Sequence, residues 1–333
     1  MKILLKPYKL FNRLALVSQR QLTIEQSLIY ELTILPANLF DDHQFLRKAQ
    51  KSKLAKHLKD YVFSTEKCNK ETVVFDGGWL IHQITWPAEK SFKDITESYV
   101  TFILRKSYGK SAVAVFDGYA NSPKDHDHMR RTKCHTGTIN IIPDKPCPVS
   151  KTRFLSNVNN KDNFIGFMIN TLSPKASITC LKVNDDCDTL VVKTALDRAA
   201  VTDVEIMAED TDILIMLIYH SSTVNNNLFF TTSSGSYNIK NISSQLNVSE
   251  RERILFIHSF TGCDTVSAIF GLGKVKILKK ICNNRGNQIQ INNIMNNLLM
   301  GVSIIDNGIL LFQFIFGDIK KSLAEQRVKN IIK

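Results

Sequence analysis

The chain lacks the features of secreted, disulfide-stabilised or membrane-spanning proteins. Its 333 residues contain seven cysteines, an odd number, and no two of them are spaced as Cys-x-x-Cys. This argues against a disulfide framework and a zinc ribbon, and it favours a reducing compartment. No apolar run approaches the roughly 18 residues that a membrane span requires. The N-terminal apolar stretches are too short for a signal peptide, so we expect a nuclear or cytoplasmic protein rather than a mitochondrial or secreted one.

Acidic residues are scarce relative to basic ones. Lysine and arginine number 43 against 31 aspartates and glutamates, which gives a formal net charge of +12. Such a balance suits a polyanionic partner, nucleic acid above all. A basic solvated surface with no nucleic-acid role is the alternative that charge alone leaves open. The hydrophobic fraction of 44% is ample for a buried core, which argues against global disorder.

Against this basic background, aspartates follow or adjoin short apolar runs. Asp76 ends the run 72–75, and Asp117 ends the run 112–116. In an open parallel sheet, the carboxyl ends of the strands converge on one crevice. Carboxylates gathered there repel by about 4 kcal/mol per close pair, unless protons or divalent cations neutralise them. We therefore expect a Mg²⁺ or Mn²⁺ site, and its candidate ligands are Asp76, Asp117, Asp186, Asp188, Asp210, Asp212 and Asp264.

The pattern of apolar residues divides the chain into three parts. Residues 1–70 have roughly helical apolar spacing and are predicted to form a helical N-terminal extension, with helices over 24–35 and 45–63. From residue 71 strands and helices alternate, which predicts an α/β fold with a mainly parallel central sheet. Residues 282–333 are predicted to form an Asn-rich connector and a C-terminal helical tail.

Individual elements are predicted from periodicity and from turn residues. The predicted strands cover 72–76, 112–116, 176–183, 204–208 and 228–232, and the predicted helices cover 91–107, 163–172, 190–200, 251–260 and 274–281. A turn is expected at Gly77-Gly78, and a loop over 282–297. The run 213–219 is apolar throughout, so periodicity leaves strand and buried helix undecided.

A long polar and basic segment interrupts the alternation at 118–160. It contains Pro143, Pro146 and Pro148, and it is crowded with lysine, arginine and histidine. Insertions of this length in a compact domain are usually lids, binding loops or disordered segments.

Taken one at a time, the acidic motifs have ordinary structural explanations. Asp210 and Asp212 follow a strand, and Asp186 and Asp188 precede an apolar helix, as a helix N-cap with an adjacent acid would. The sequence Val-Phe-Asp-Gly occurs twice, and each copy can be read as a strand that enters a glycine turn.

The order of the motifs is more specific than any one of them. A strand ending in Asp76 is followed by Val-Phe-Asp117-Gly with a basic insertion, two Asp-x-Asp motifs, and then Gly-Cys-Asp264 with Gly271-Leu-Gly273. This order resembles the flap endonuclease/XPG superfamily of structure-specific nucleases, within the PIN-like fold. The resemblance covers residues 71–281. Within the superfamily, we expect the chain to be most closely related to PIN-like proteins of animal genomes.

The resemblance implies a nuclease domain over 71–281, an arch-like insertion over 118–160 and a helix–hairpin–helix element over 251–281. It also implies that two divalent metal ions, held by the seven aspartates, hydrolyse a DNA phosphodiester. Residue by residue, Asp76 matches the first strand-terminal aspartate, Asp117 the signature aspartate, Asp210 and Asp212 the Asp-x-Asp pair, and Asp264 the acid of the glycine-rich element. The chain departs from the family at Asp186 and Asp188, where the acids are typically glutamates.

The resemblance also suggests basic residues that would contact DNA. Lys124 and Arg131 lie seven and fourteen positions beyond Asp117, the spacing of the basic pair at the base of the family's helical arch. They would hold the scissile phosphate and offset its developing charge. Arg130 is an alternative to Arg131. The competing interpretation is that both basic residues are solvated cations in a basic loop with no contact to DNA.

The Gly271-Leu-Gly273-Lys274 segment resembles the turn of a helix–hairpin–helix. Its glycines would let the backbone approach a phosphate, and Lys274 and Lys276 would add contacts without base preference. A plain turn is the alternative. The expected function is therefore a metal-dependent endonuclease acting on flapped or branched DNA. A catalytically weak or inactive nucleic-acid-binding scaffold and a PIN-like ribonuclease remain as alternatives.

Overall fold

The computed structural model divides into two compact units. It describes residues 15, 35–36, 38–59, 71–118, 137–183, 186–264, 266–282, 288–317, 321–322 and 325. One unit consists of residues 1–54 and 248–333, and the other of residues 55–247. The domain boundaries drawn from the sequence, after residues 70 and 281, stay predictions.

The unit of residues 55–247 contains the sheet and most of its helices. Its strands are β1 (Thr72–Asp76), β2 (Ser111–Asp117), β3 (Ile178–Val183), β4 (Val204–Met207), β5 (Leu228–Thr232) and β6 (Gly235–Asn238). The helices before and between the strands are α1 (Lys51–Lys59), α2 (Gly77–Gln83), α3 (Phe92–Lys106), α4 (Lys151–Leu155), α5 (Val158–Leu172), α6 (Cys187–Ala199) and α7 (Thr211–His220), with a short 3₁₀ helix at Ser221–Thr223. Beyond β6 follow α8 (Ile239–Gln245), α9 (Val248–Phe260), α10 (Lys274–Cys282), α11 (Gln288–Leu299) and α12 (Ile304–Phe316).

The sheet has six strands in the order β3-β2-β1-β4-β5-β6. All neighbouring strands are parallel except β5 and β6, which are antiparallel. This confirms the predicted α/β fold with a mainly parallel sheet. The chain proceeds outward from β1 through β2 to β3, and then returns to β4 on the other side of β1. The strand order therefore reverses between β1 and β4, and ligands of such sheets bind outside the carboxyl ends of the strands at this switch point.

Both faces of the central strands are buried. Val73 and Phe75 point into an aromatic-rich core that includes Tyr99 of α3 and Phe164 of α5. Val74 is buried on the opposite side, where α6 packs against β1, β2 and β4. Burial on both faces explains why these strands appear in the sequence as continuous apolar runs.

The predicted turn at Gly77-Gly78 is wrong, because the two glycines begin helix α2. Asp76 is the N-cap of this helix, and its Oδ1 accepts a hydrogen bond from the Gly78 N–H at 2.9 Å. A Cβ on Gly77 would lie 2.4 Å from the Val115 carbonyl oxygen and from the Phe116 ring. Glycine is therefore needed where the chain leaves β1 and crosses closely over β2.

The predicted loop over 282–297 is wrong over residues 288–297, and residues 283–287 lie outside the described residues. Helix α11 covers Gln288–Leu299, and its buried residues Ile291, Ile294 and Met295 recur at helical spacing. Asn292 accepts a hydrogen bond from the Arg253 guanidinium at 2.5 Å. The asparagines suggested a loop, yet the apolar residues between them pack α11 against α12.

Between residues 38 and 59, the N-terminal region is less helical than its periodicity predicts. Of the predicted helix over 45–63, only Lys51–Lys59 is helical within the described residues. Before it, the Asp41 carboxylate accepts the N–H groups of His43 and Phe45 and so stabilises a tight turn. The predicted helix over 24–35 lies almost wholly outside the described residues. No helix in the part of the chain that the structure describes is long and apolar enough to cross a membrane.

Candidate metal centre at the carboxyl edge of the sheet

Asp76 lies at the topological switch point of the sheet. It is the last residue of β1, and β1 is flanked by β2 on one side and β4 on the other. Its side chain is half-buried and is oriented by the Gly78 N–H at the start of α2. The sequence of β1 followed directly by a helix thus fixes a carboxylate at the centre of the strand ends.

The carboxylates of Asp117 and Asp210 act on Asp76. The pKa of Asp76 is raised from 3.8 to about 6, first by burial and then by the negative charges of Asp117 and, more weakly, Asp210. The backbone N–H groups of Gly78 and Trp79 act in the opposite direction. Three acids that lie far apart in the sequence are thus brought within electrostatic reach of one another, as the sequence predicts.

Asp210 and Asp212 lie at the junction of β4 and α7. Asp210 is the N-cap of α7, and its Oδ1 accepts the Asp212 N–H at 2.8 Å. Asp212 follows in the first turn, where the positive end of the helix dipole favours a carboxylate. The apolar run that periodicity left undecided is this helix.

Asp186 and Asp188 lie at the start of α6. Asp186 caps the helix, and its Oδ2 accepts hydrogen bonds from the Thr189 N–H at 3.2 Å and hydroxyl at 2.7 Å. Cys187 between them is buried, and its thiol donates to the Val115 carbonyl oxygen at 3.4 Å. Because Val115 pairs with Asp76 in the parallel register, α6 begins beside the strand that neighbours Asp76.

Asp264 belongs to the other unit. One of its carboxylate oxygens lies 2.7 Å from the Lys51 ammonium, and both side chains are partly exposed. This ion pair is the contact that the structure gives for Asp264, and its predicted role as a metal ligand stays a prediction.

The chemistry of the acids at the sheet edge suits a hard cation. Carboxylate oxygens are the ligands that Mg²⁺ prefers. A bound cation would offset the repulsion that the Asp117 and Asp210 carboxylates exert on Asp76. Within the described residues, however, no three His, Cys, Asp or Glu side chains form a ready-made ligand cluster. Mg²⁺ keeps several of its waters and is usually bound by one or two carboxylates, so a site for a hydrated ion does not require an all-protein cage.

The predicted DNA-contacting residues fall partly outside the described residues, as Lys124, Arg130 and Arg131 do. Gly271 and Gly273 are exposed just before α10. Lys276 is exposed on α10, as a phosphate contact requires.

Lys274 does not fit the role predicted for it. Its side chain is 4% exposed, and its ammonium donates to the His258 carbonyl at 2.6 Å, the Gly262 carbonyl at 2.5 Å and the Thr261 hydroxyl at 3.2 Å. An ammonium has three N–H groups. The prediction that Lys274 contacts phosphate is therefore wrong. Lys274 has a structural role instead, because its ammonium joins the end of α9 to the start of α10.

Two acids of the β4 region were not singled out from the sequence. Glu205 is 1% exposed within β4, and its Oε1 accepts the Thr231 hydroxyl at 2.6 Å. Glu209 accepts a hydrogen bond from the Ser233 N–H at 3.1 Å. Hydrogen bonds from Ser233 lower the pKa of Glu209, and the positive charge of Lys59 lowers it further. A charged residue inside an otherwise apolar strand was the signal that could have pointed to Glu205.

Comparison with known proteins gives similarity at the level of structure. No protein-family model and no curated protein sequence matches the chain. Among similar solved structures is the flap endonuclease of bacteriophage T5 in a pseudo-enzyme–product complex with DNA and metal ions, at 14% identity and a TM-score of 0.42, over 78% of this chain and 97% of that one. The catalytic core of Rad2 in complex with a DNA substrate is similar at 12% identity and a TM-score of 0.43, over 74% and 70% of the two chains.

Human GEN1 in complex with Holliday junction DNA is similar at 12% identity and a TM-score of 0.41, over 72% of this chain and 55% of that one. At identities this low, the fold assignment depends on the strand order and on the parallel register of the sheet.

Proposed function

We propose that this protein is a divalent-metal-dependent nuclease that hydrolyses phosphodiesters in DNA, at flapped or branched structures. The observation that carries the proposal is the position of Asp76. It lies half-buried at the switch point of a parallel sheet, and the carboxylates of Asp117 and Asp210 act on it electrostatically.

Helix capping alone does not account for this arrangement. A serine or asparagine at position 76 would cap α2 about as well and would carry no charge. A carboxyl whose pKa is raised from 3.8 to about 6 makes folding less favourable by about 3 kcal/mol above that pH. A charge kept at this cost among like charges is characteristic of functional sites.

The surrounding backbone holds the carboxylates in fixed orientations. The Gly78 N–H holds one oxygen of Asp76, the Asp212 N–H holds one oxygen of Asp210, and Thr189 holds one oxygen of Asp186. Oriented acids of this kind can bind a hydrated cation without large rearrangement. When bound, a divalent cation would supply an activated water and would neutralise charge on the phosphate.

The remaining predicted residues complete the proposal. Lys124 and Arg131, with Arg130 as the alternative to Arg131, would bind the scissile phosphate and stabilise its negative charge. Asp117, Asp186, Asp188 and Asp212 are the further candidate ligands at the sheet edge, and two divalent ions are the proposed number.

The proposal is tested with a panel of substrates. Flapped DNA, hairpin DNA and single-stranded RNA are incubated with the protein in Mg²⁺ or Mn²⁺, with parallel samples in EDTA. Cleavage of flapped DNA that requires the metal is the expected result. Binding of DNA without cleavage in either metal would contradict the proposal and favour a scaffold, and metal-dependent cleavage confined to RNA would favour a ribonuclease.

A further inference from the structure

Helix α12 carries a stripe of apolar side chains that are open to solvent. Ile305, Ile309 and Phe316 are exposed and Phe312 is half-buried, and the four recur at intervals of four, three and four residues. At 3.6 residues per turn, this spacing keeps all four on one side of the helix. We call these four residues the α12 stripe.

The opposite side of α12 attaches the helix to its own unit. Leu311, Phe314 and Ile315 are buried, and α12 packs against α10 and α11. Asn307 is also buried on this side, and its side-chain amide donates a hydrogen bond to the Val302 carbonyl at 3.0 Å. The helix therefore has two apolar sides, and only one of them is buried within the described residues.

Two phenylalanines of α9 widen the apolar surface beside the stripe. The centroid of the Phe312 ring lies 5.3 Å from that of Phe260, and Phe260 stacks on Phe256 at 5.6 Å. Within α12, Phe312 stacks on Phe316 at 6.2 Å. These ring contacts hold the large side chains in place before any partner arrives. Binding to such a surface therefore costs little side-chain entropy.

The surface around the α12 stripe is apolar and almost uncharged. Residues 288–317 contain one charged residue, Asp306, whereas 22% of the whole chain is charged. Of the eighteen large apolar side chains that are exposed in the described part of the chain, eight lie in this segment. Exposed apolar residues that are concentrated in one place mark an interaction surface.

The absence of charge favours a second copy of this chain as the partner. Nucleic acid is an unsuitable partner, because residues 288–317 contain no lysine or arginine to contact phosphates. Two copies of the chain each carry a formal charge of +12 and repel each other over a basic surface, but this repulsion is weakest at an uncharged one. Asn293 and Asn296 are exposed on the neighbouring helix α11. Their amides both donate and accept hydrogen bonds, so they can pair with their own copies.

The spacing of the stripe suits the packing of two identical helices. Apolar residues at alternating intervals of three and four form a seam, in which each side chain fits between side chains of a facing helix. In a two-fold symmetric dimer the same surface is used by both copies, so one stripe is sufficient for the whole contact.

A glycine borders the stripe where the fold does not require one. Gly308 lies three residues after Ile305 and four before Phe312, and a Cβ placed on it would meet no atom within 4 Å. Glycine weakens the interior of a helix, and its usual benefit is that another backbone can approach closely. A facing helix would provide that backbone.

We propose that this protein forms a homodimer through the α12 stripe, with α12 of one copy packed against α12 of the other. The inference goes beyond the proposed function, because it requires neither metal binding nor cleavage. One helix with flanking side chains is smaller than a standard interface of about 800 Å² per partner. We therefore expect a dimer dissociation constant in the micromolar range, roughly 1–10 µM.

Sedimentation velocity over a concentration series of the full chain in EDTA measures this constant. Ile305→Glu in the stripe is compared with Val201→Glu in the turn after α6. The two positions are closely matched, because Ile305 is 77% exposed and Val201 is 78% exposed, and both side chains are β-branched. Ile305→Glu should raise the dissociation constant at least about 30-fold, as loss of a hot-spot residue does. Val201→Glu should leave it at the value of the wild type.

Four results would overturn the inference. The wild type stays monomeric up to about 0.1 mM, which would leave the stripe to a different protein. The two variants associate equally, which would place the contact elsewhere. Association is lost in about 1 M NaCl, where the Debye length is about 3 Å, which would indicate charged bridging instead of apolar contact. Finally, Ile305→Glu lowers the melting temperature at concentrations where the wild type is monomeric, which would show that the same chain covers the stripe.

Discussion

The acidic edge of the sheet and the basic groove lined by Arg47, Lys48, Lys53, Lys274 and Lys276 organise charge in opposite ways. At the sheet edge, Asp76 and Asp210 are held by backbone N–H groups at helix starts, and Asp76 is half-buried. In the groove, Lys53 and Lys276 are exposed, and Lys274 alone is buried and fixed by acceptors.

The difference fits the metal site proposed at the sheet edge and the phosphate contacts predicted from the sequence at the groove. Chemistry at a phosphate requires charges fixed to a fraction of an ångström, so burial and crowding are tolerated at the sheet edge. Binding of a polyanion requires many cations that each contribute a little, so they can remain exposed and solvated. Single substitutions should therefore act sharply at the sheet edge and gradually in the groove.

The largest effect is expected from Asp210→Asn. Asparagine keeps the N-cap of α7, so the fold should survive, while the loss of the carboxylate should lower cleavage of flapped DNA by more than about 100-fold. Steady-state cleavage and anisotropy are measured on the same preparation, and affinity for DNA should be unchanged. Asp197→Asn, an exposed change later in α6, is the control. Equal turnover by the two variants would remove Asp210 from the site.

Lys274→Met should show that the buried lysine of the groove stabilises the fold, whereas its exposed neighbours do not. The methionine leaves the carbonyls of His258 and Gly262 without their ammonium donor, so the free energy of unfolding should fall by about 3 kcal/mol. Urea denaturation measures this change. Lys279→Met, on the exposed face of α10, should change it by less than about 0.5 kcal/mol. Equal stability of the two variants would show that Lys274 has no structural role.

Asp76→Asn should stabilise the metal-free protein in a pH-dependent way. Because the pKa of Asp76 is raised from 3.8 to about 6, the folded state holds this proton more tightly than the unfolded state. The wild type therefore loses stability as the pH rises from about 4 through about 6, and asparagine removes that loss. Thermal unfolding in EDTA should show no difference near pH 4 and an advantage of the variant, by up to about 3 kcal/mol, near pH 8. An advantage that does not change with pH would contradict the electrostatic account of Asp76.

The sequence predicted the sheet better than it predicted the helix starts. The runs that became β1 and β2 are apolar throughout and end at aspartate, so their bounds were predicted to within one residue. Asp76 and Asp117 end adjacent parallel strands, and Asp210 follows β4 at the start of α7, so the approach of the three acids could be predicted. Gly77-Gly78 was misjudged because glycine is typical of turns, whereas the close contact with Val115 that requires it exists only in the folded sheet.

The basic groove was beyond local sequence reasoning. Arg47 and Ser267, whose hydrogen bond joins its two walls, are 220 residues apart. Periodicity also assigned residues 45–50 to a helix, while the turn capped by Asp41 places them along the groove. Lys274 appeared to be one more cation in a basic turn, and its buried carbonyl contacts could be known only from the structure.

Calorimetric titration with Mn²⁺ tests most directly whether the acids at the sheet edge bind a divalent cation. The wild-type protein and Asp76→Asn are titrated at pH 7.5, about 1.5 pH units above the raised pKa of Asp76, so that the acid is ionised in the wild type. Mn²⁺ should bind the wild type and bind the variant at least about tenfold more weakly. Equal affinity of the two proteins for Mn²⁺, or absence of binding to both, would contradict the assignment of this edge as a metal centre.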